Sequence, residues 1–347
     1  MSLDFEDESV ASNVEASVNT TQRVHAADKR MINSSTDVNQ LVPFKYKWAW
    51  HFYLDACANN WMPMEFDLKT DVAHWLSPDM LTPADRLIIA KSLWALQDAA
   101  QRGSGQVAMG LYRYITAPEG RQYILRQGFE EMLQPHAFAY MTEAIQVDIS
   151  NMAPSNVEER NGFLAPHISV LTTPTFKTGT LEANRELVKA IVVYGCLVKG
   201  LFGMVNFADT LGLGHRNRMP SYVAMTRNMV RDQVMHCTFN IEVIEAIKIE
   251  NPALWSSVFQ AQLRQLFVQA VRIEMADIER TRPHEAANAL AYLQVIANRR
   301  ASQIGLDAIF PNTKNPYPYM GELLGLRRDD AITAKVAENK TTGTLEW

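Results

Sequence analysis

Two short segments of the sequence carry metal-binding residue types at a spacing that suits a helix. Glu131 and Gln134 are three residues apart, and so are Gln233 and His236 within the segment RDQVMH. Residues three apart share one face of a helix, and a carboxylate beside an imidazole suits iron, manganese or zinc. Because Gln233 is an uncharged amide, its segment is either an unusual metal site, a dismantled one or an ordinary helix.

The two segments match only part of a carboxylate-bridged two-metal site. Such a site takes inward-pointing ligands from four helices, two with Glu-x-x-His and two with a single acidic residue. Here Lys199 lies in an apolar run at the place where a glutamate is needed. A buried lysine either loses its proton or finds an anion, unless its side chain reaches solvent from the helix edge. The order of the segments is right, but most of the ligand chemistry is missing.

Long helices are the elements that would position these residues. Thr82, Pro83 and Asp85 predict the start of one helix, and Thr116 with Pro118 predicts the start of another. Further helices are expected at about 181–211, 221–250, 254–280 and 285–305. No run of alternating strands with Gly or Asn turns is visible. The sequence therefore predicts an all-α bundle.

Composition and charge argue against several classes of protein. The 347 residues carry a net charge of -5, with a pI of about 5.9, and lack the basic surface of a nucleic-acid-binding protein. No apolar run reaches the roughly 18 residues of a membrane span, and the acidic N-terminus lacks the apolar region of a secretory signal. The three cysteines form no CxxC pair, which fits a reducing cytoplasm. We expect no nucleic-acid partner, no membrane association and a cytoplasmic location.

Several sequence blocks, in order, resemble the small (beta, radical-generating) subunit of class I ribonucleotide reductase. They span about residues 24 to 347 and include NNWMPMEFDL, ITAPEGRQYILRQGFEEM, FKTGTLEANRE, NMVRDQVMHC and IANRRASQIGL. The resemblance implies a ferritin-like helical bundle with additional helices, a homodimer, and a large-subunit partner that reduces ribonucleotides. It also implies a di-iron or manganese–iron centre with a tyrosyl radical.

The family's functional positions can be carried over to this chain one by one. The six metal-ligand positions fall on Ala100, Glu131, Gln134, Lys199, Gln233 and His236. Only Glu131 and His236 keep a residue of the family's type. The radical tyrosine falls on Phe138. On this reading we expect no metal, no resident cofactor and no catalytic residue.

The family's radical-transfer path is also interrupted in this sequence. Trp61 and Asp232 match its tryptophan and aspartate, whereas its histidine falls on Gln134 and its tail tyrosine on Asn339. The side-chain amides of Gln134 and Asn339 are not plausible redox relays. Trp61 and Asp232 are therefore interpreted as remnants of the path.

A second register of the ligand helix uses neighbouring residues and must be weighed. Asp98, His136 and Tyr140 each lie two residues from the assigned positions. A shift of two residues turns a helix by about 200°, which would point these side chains away from the core. It would also place Leu133 at the glutamate position. The first register is therefore preferred.

The substitutions predict how the former metal pocket is filled. We expect Glu131 and Lys199 to form a buried ion pair, with Gln134 and Gln233 hydrogen-bonding around it. One glutamate with one lysine is neutral without a metal ion. Pro135 should kink the helix there, because it lacks the N–H that would bond to the Glu131 carbonyl.

The sequence divides into a central domain with two polar ends. Residues 1–24 are expected to be a disordered acidic tail, residues 25–330 the ferritin-like domain, and residues 331–347 a flexible C-terminal tail. Leu345 and Trp347 would be the apolar tip by which this tail docks on the large subunit.

Three functions remain open at this point. The first is a non-redox partner that binds the large subunit or pairs with an active small subunit, since the family includes ligand-depleted members of this kind. The second is an active small subunit with a non-standard, possibly metal-free radical, for which Tyr140 or Tyr123 would substitute. The third is a helical scaffold unrelated to ribonucleotide reduction, against which the docking-like tail speaks.

Overall fold

The computed structural model describes residues 25–34, 41–101, 104–152, 156–311 and 313–320. Its α-helices, in chain order, are α1 (Lys47–Ala58), α2 (Lys69–Leu76), α3 (Pro83–Gln101), α4 (Ser104–Tyr112), α5 (Pro118–Ile145), α6 (Val157–Thr172), α7 (Leu181–Val192), α8 (Met204–His215), α9 (Pro220–Glu250), α10 (Ser257–Thr281) and α11 (Ala286–Gln303). Within the described part the only β-pairing is an isolated bridge between Ile32 and Ile115. The predicted all-α class is confirmed.

The two longest helices, α5 and α9, form the centre of the bundle. Helix α5 packs against α1, α3 and α4, and α9 packs against α7, α8 and α5. Buried residues face several directions on both helices, as expected for helices enclosed by others. The segments that carry Glu131 and His236 are therefore brought together in the core.

The start of α3 follows the sequence signal in full, whereas at the start of α5 only the position of Pro118 does, and Thr116 does not cap the helix. The Thr82 N–H donates to Asp85 Oδ2 (3.0 Å), and the Asp85 N–H donates to Thr82 Oγ1 (3.1 Å), which is the predicted capping box. Helix α5 begins at Pro118, but its N-cap is Ala117. The Thr116 hydroxyl donates instead to the Arg30 carbonyl (3.0 Å). Its predicted capping role was wrong because the N-terminal segment offers this hydroxyl a tertiary acceptor.

The helix predicted over 181–211 is interrupted in its middle. Helix α7 continues into a π-helical turn at Val193–Val198, and α8 begins only at Met204, after Gly203 with φ of 77°. A Cβ on Gly195 would lie 2.3 Å from the Asn240 Cβ, so the π turn can approach α9 this closely only with glycine. The interruption places Lys199 at the end of the π turn, facing the bundle centre.

Helix α9 begins against an aspartate that belongs to α2. Asp71 is fully buried and accepts from the Ser221 N–H (3.0 Å) and the Tyr222 N–H (2.9 Å). These are among the first N–H groups of α9, which have no partner within the helix. Burial raises the pKa of Asp71, while the two hydrogen bonds oppose that rise. Asp71 therefore fixes the end of the helix that carries Gln233 and His236.

Replacing Asp71 with alanine should lower the free energy of unfolding by about 2–3 kcal/mol, because it leaves the buried Tyr222 N–H and the partly buried Ser221 N–H without an acceptor. Urea unfolding at neutral pH measures this change. Asp71→Asn is the matched control, since its amide keeps one acceptor and should lose less. A loss below about 0.5 kcal/mol for the alanine variant, typical of a surface change, would contradict the capping role.

Two further expectations concern membranes and the chain ends. Among the described residues, no helix is both long and apolar enough to span a membrane. The predicted tails, residues 1–24 and 331–347, lie outside the described residues, and with them Asn339, Leu345 and Trp347. None of the three cysteines, Cys57, Cys196 and Cys237, forms a disulfide.

Candidate functional site

The structure brings most of the predicted pocket residues together. Helix α5 supplies Glu131 and Gln134, α9 supplies Gln233 and His236, and the end of the π turn supplies Lys199. All five are buried. Ala100 belongs to α3, but its side chain lies outside the described residues, as does that of Asp98.

Lys199 and Glu131 lie in direct contact at the centre of this pocket. The Lys199 Nζ is 3.0 Å from Glu131 Oε1, and the two side chains are 5% and 1% exposed. The same carboxylate oxygen accepts from Gln127 Nε2 (2.8 Å) and from the Tyr194 hydroxyl. The ammonium also lies over the Tyr194 ring, 5.3 Å from its centroid. Lys199 therefore does not reach solvent, and its charge has a buried carboxylate as partner.

The two glutamines of the pocket are bonded to each other. Gln233 Nε2 donates to Gln134 Oε1 at 2.9 Å, which joins α9 to α5. The resemblance predicts that these positions correspond to a glutamate and a histidine of the family. An amide can both donate and accept, so this pair connects the two helices without a metal ion.

His236 has a partner that the sequence did not indicate. Its Nε2 is 2.8 Å from Glu130 Oε2, whereas its Nδ1 is 4.0 Å from Glu131 Oε1. The other oxygen of Glu130 accepts from Arg126 Nε at 2.8 Å. Burial lowers the pKa of His236 to about 3, so the imidazole is neutral. Burial raises the pKa of Glu130 to about 7, although Arg126 opposes this rise.

The pocket consequently holds more charge than the predicted Glu131–Lys199 pair. The buried Glu130 and the partly exposed Arg126 form a second ion pair beside the first. When both carboxylates are ionised, two negative and two positive side chains cancel. Consecutive residues on a helix point about 100° apart, so Glu130 was not expected to share the pocket with Glu131. Helix α9 crosses α5 so that the His236 imidazole lies near the carboxylates of both Glu130 and Glu131.

Trp61 and Asp232, which the resemblance predicts to be remnants of a radical path, also lie together. Trp61 Nε1 donates to Asp232 Oδ2 (3.1 Å), and Asn59 Nδ2 donates to Asp232 Oδ1 (2.9 Å). Asp232 is fully buried. Burial, and then the charge of Glu130, raise its pKa to about 8, so Asp232 keeps its proton at neutral pH.

The aromatic residues near the pocket differ in burial. Phe138, which the resemblance predicts to stand at the position of the radical tyrosine, is buried, and so is Tyr123. His136 is exposed, and the half-buried Tyr140 donates its hydroxyl to the Phe66 carbonyl (3.3 Å). This is the orientation expected for the first register. Pro135 lies inside α5, which continues beyond it to Ile145.

Tyr194 is a further pocket residue that the sequence analysis missed. Its hydroxyl contacts Glu131 and accepts from Gln127 Nε2 (2.8 Å), and the side chain is fully enclosed. The π turn directs it inward, and a regular helix would have placed it differently relative to Lys199. The tyrosine within an otherwise apolar run was the only available signal.

The side chains of this pocket do not fit a two-metal centre. Across the described ranges, no group of three or more His, Cys, Asp or Glu side chains could hold a metal ion. The Lys199 ammonium contacts the Glu131 carboxylate, and His236 Nε2 faces Glu130. The amide pair adds only neutral donors and acceptors. The pocket thus offers a protein cation where the family's arrangement requires metal ligands.

Solved structures of ribonucleotide reductase small subunits share the fold of this chain. The R2 subunit of ribonucleotide reductase from Clostridium botulinum superposes with a TM-score of 0.74 at 20% identity, over 85% of this chain and 94% of that one. The Rnr4 homodimer of the reductase from Saccharomyces cerevisiae gives a TM-score of 0.65 at 18% identity, over 84% and 89% of the two chains. The predicted ferritin-like bundle is confirmed.

Sequence comparison identifies the family. The family model described as ribonucleotide reductase, small chain, matches residues 38–316. The ribonucleoside-diphosphate reductase subunit beta of Chlamydia pneumoniae is 31% identical over 338 residues, covering 94% of this chain and 97% of that protein. Human subunit M2 is 22% identical, covering 88% and 76%. The chain belongs to the ribonucleotide reductase small-chain family.

Proposed function

We propose that this chain is a ribonucleotide reductase small-subunit-like protein without the dimetal–tyrosyl cofactor. It serves deoxyribonucleotide synthesis as a non-redox partner of the large subunit or of an active small subunit. The observation that carries this proposal is the Lys199–Glu131 contact of 3.0 Å inside the former metal pocket.

The electrostatics of the pocket support the loss of the metal ions. A divalent cation bound to Glu131 would stand close to the Lys199 ammonium, and like charges repel strongly where water is excluded. The lysine would have to lose its proton or leave the pocket. Phe138, in turn, has no hydroxyl and cannot form a tyrosyl radical.

Family membership supports the binding part of the proposal. The similarity to the Chlamydia pneumoniae subunit extends over 94% of this chain and 97% of that protein. We propose that Leu345 and Trp347 dock on the large subunit, that the chain pairs with a second copy or with an active small subunit, and that it works in the cytoplasm. Neither a nucleic acid nor a membrane is part of this function.

Metal and radical content test the cofactor part. After incubation with iron, manganese and oxygen, we expect well below one metal ion per chain by mass spectrometry and no organic radical by EPR. The NrdF protein of Streptococcus sanguinis, whose solved structure holds dimanganese(II), is treated in parallel and controls for metal loading. Stoichiometric metal or a stable radical in this chain would overturn the proposal.

The binding part is tested on the same preparation with the large subunit. The full chain should retain the large subunit in a pull-down, whereas a variant without Leu345–Trp347 should retain much less. Binding that is absent for both, despite a folded chain, would favour a helical scaffold unrelated to reduction.

The second candidate function is an active small subunit with a non-standard, metal-free radical. The observation in its favour is the Tyr194 hydroxyl, which donates to the Glu131 carboxylate in a fully buried position. If an external one-electron oxidant takes an electron from the phenol, this carboxylate is placed to accept the phenol proton. An EPR signal that disappears in Tyr194→Phe, but persists in Tyr140→Phe and Tyr123→Phe, would establish this alternative.

A further inference from the structure

Two of the three cysteines meet in the core beside the pocket. Cys196 lies in the π turn, and Cys237 lies on α9 directly after His236. Both side chains are fully buried, and the two thiols are hydrogen-bonded to each other. They are free thiols rather than a disulfide. Because they come from different segments of the chain, only the packing of the π turn on α9 brings the two sulfur atoms together.

Glycines let the two segments approach closely on either side of this pair. A Cβ on Gly195 would lie 2.3 Å from the Asn240 Cβ, and a Cβ on Gly200 would lie 2.7 Å from the Cys237 Sγ. Gly195 directly precedes Cys196, and Gly200 follows it by four residues, so the two close approaches lie on either side of the cysteine. A disulfide needs Cα atoms about 4.4–6.8 Å apart, which is less than the usual 8–10 Å between helix axes. The two glycines provide the short separation that such a bond requires.

The surroundings of the pair control when it can react. The hydrogen bond with Cys237 and burial raise the pKa of the Cys196 thiol well above its ordinary value, whereas the charge of Arg300 lowers it. Arg300 is itself buried, and its Nε lies 3.5 Å from the Gly200 carbonyl oxygen. A protonated thiol is a poor nucleophile. The packed pair is therefore unreactive, and its chemistry requires a local opening of the π turn, in which Cys196 ionises near the guanidinium.

We propose that Cys196 and Cys237 form an oxidation site at which a small peroxide joins the π turn to α9 through a disulfide. Hydrogen peroxide needs only a small opening to reach a buried sulfur, unlike a bulky oxidant such as glutathione disulfide. Once one sulfur is oxidised to a sulfenic acid, the second thiol is already in contact with it and can displace the oxygen.

One molecule of hydrogen peroxide balances the reaction. The Cys196 thiolate attacks a peroxide oxygen and the O–O bond breaks. The leaving hydroxide takes up the proton that the thiol released, which gives water and a sulfenic acid. The Cys237 sulfur then attacks the sulfenic sulfur, the S–O bond breaks, and the Cys237 proton leaves with the hydroxyl group as a second water. In total the two thiols lose two electrons and two protons, and the peroxide is reduced to two waters.

A disulfide at this place would act on the residue that fills the pocket. Lys199 follows Cys196 by three residues and ends the π turn. Gly203, with φ of 77°, follows shortly after it. A covalent bond to α9 removes the conformations in which the turn moves away, so Lys199 is held beside Glu131. The proposed site does not depend on the loss of the cofactor, because its tests measure thiols and backbone exchange rather than metal or radical content.

The first test treats the full chain with excess hydrogen peroxide under native conditions. After catalase has removed the peroxide, the chain is denatured in urea, free thiols are labelled with N-ethylmaleimide, and peptides are analysed by mass spectrometry. We expect the Cys196 and Cys237 peptides to be joined, with the loss of two hydrogens, in most chains. Cys57→Ser, which removes the exposed cysteine, should give the same result. Circular dichroism verifies that the chain stays folded during the treatment.

Cys237→Ser is the matched variant, since it removes the second thiol and keeps a side chain of similar size. In this variant no internal disulfide can form, and oxidised Cys196 should proceed to sulfinic acid. The proposal is overturned if both thiols of the wild type remain labelled after the exposed Cys57 has been oxidised. It is also overturned if the wild type accumulates sulfinic acid at either cysteine, or if the disulfide forms only after the helical signal is lost.

A second test measures whether the disulfide restrains the π turn. Amide hydrogen exchange of the peptides that cover Val193–Gly203 should slow by about tenfold or more on oxidation, whereas the peptides of α11 should be unchanged. Reduction with dithiothreitol should restore the original rates. Unchanged exchange in the π turn of a fully cross-linked chain would show that the bond does not restrain the segment carrying Lys199, and would overturn that part of the proposal.

Discussion

Replacing Lys199 with alanine is expected to lower the free energy of unfolding by about 3–5 kcal/mol, the usual effect of removing one partner of a buried ion pair. The Glu131 carboxylate would remain 1% exposed. Its hydrogen bonds from Gln127 and Tyr194 only partly replace the lost ammonium. Urea unfolding at neutral pH measures the loss.

Two control variants separate charge from packing in this experiment. Lys199→Met keeps most of the side-chain volume. If the unpaired Glu131 charge causes most of the destabilisation, this variant should lose nearly as much free energy of unfolding as Lys199→Ala. Adding Glu131→Gln removes that charge while retaining an oxygen acceptor, and should recover a large part of the loss. A near-zero loss for Lys199→Ala would show that Glu131 does not depend on the lysine.

The second large effect concerns the pH dependence of stability. Burial raises the pKa of Asp232 to about 8 and that of Glu130 to about 7, whereas both titrate near 4 in the unfolded chain. Between these values the folded state binds more protons, so stability falls as pH rises, by up to about 1.4 kcal/mol per pH unit for each carboxyl. His236 has the opposite sign, because its lowered pKa of about 3 removes stability as pH falls below about 6.5.

From pH 6.5 to 8 the two carboxyls should together lower the free energy of unfolding by about 2–3 kcal/mol. Asp232→Asn should remove more than half of this decrease, since Asp232 has the higher pKa. Asp55→Asn, at an exposed position on α1, should keep the full decrease. Urea unfolding at pH 6.5 and pH 8 measures this decrease. An equal decrease in the wild type and in both variants would contradict a buried, protonated Asp232.

The sequence was sufficient to predict those features that depend only on residues close together within one helix. The capping box of Thr82 and Asp85 depends on neighbouring residues and is present as predicted. The inward orientation of Gln134 and Phe138 follows from helical periodicity, and both are buried while His136 is exposed. These features require only the spacing of residues along one helix.

Features that depend on how helices meet were not visible in the sequence. The π turn at Val193–Val198 arises where Gly195 approaches Asn240 on another helix, so an uninterrupted helix was predicted there. Glu130 was missed because its role depends on the crossing of α9 over α5. Thr116 failed as a cap because a distant carbonyl, that of Arg30, is its acceptor. In each case a tertiary contact overrode a local rule.

The position of Lys199 in the pocket has a consequence for how the protein matures. A metal ion must be delivered after synthesis, can be removed by a chelator and can be exchanged for a competing metal. An ammonium group attached to the backbone is made together with the chain, always in equal number, and cannot dissociate. Under the proposal that the pocket holds no metal ion, the lysine charge 3.0 Å from Glu131 would make the folded pocket independent of the iron supply of the cell and of any insertion machinery.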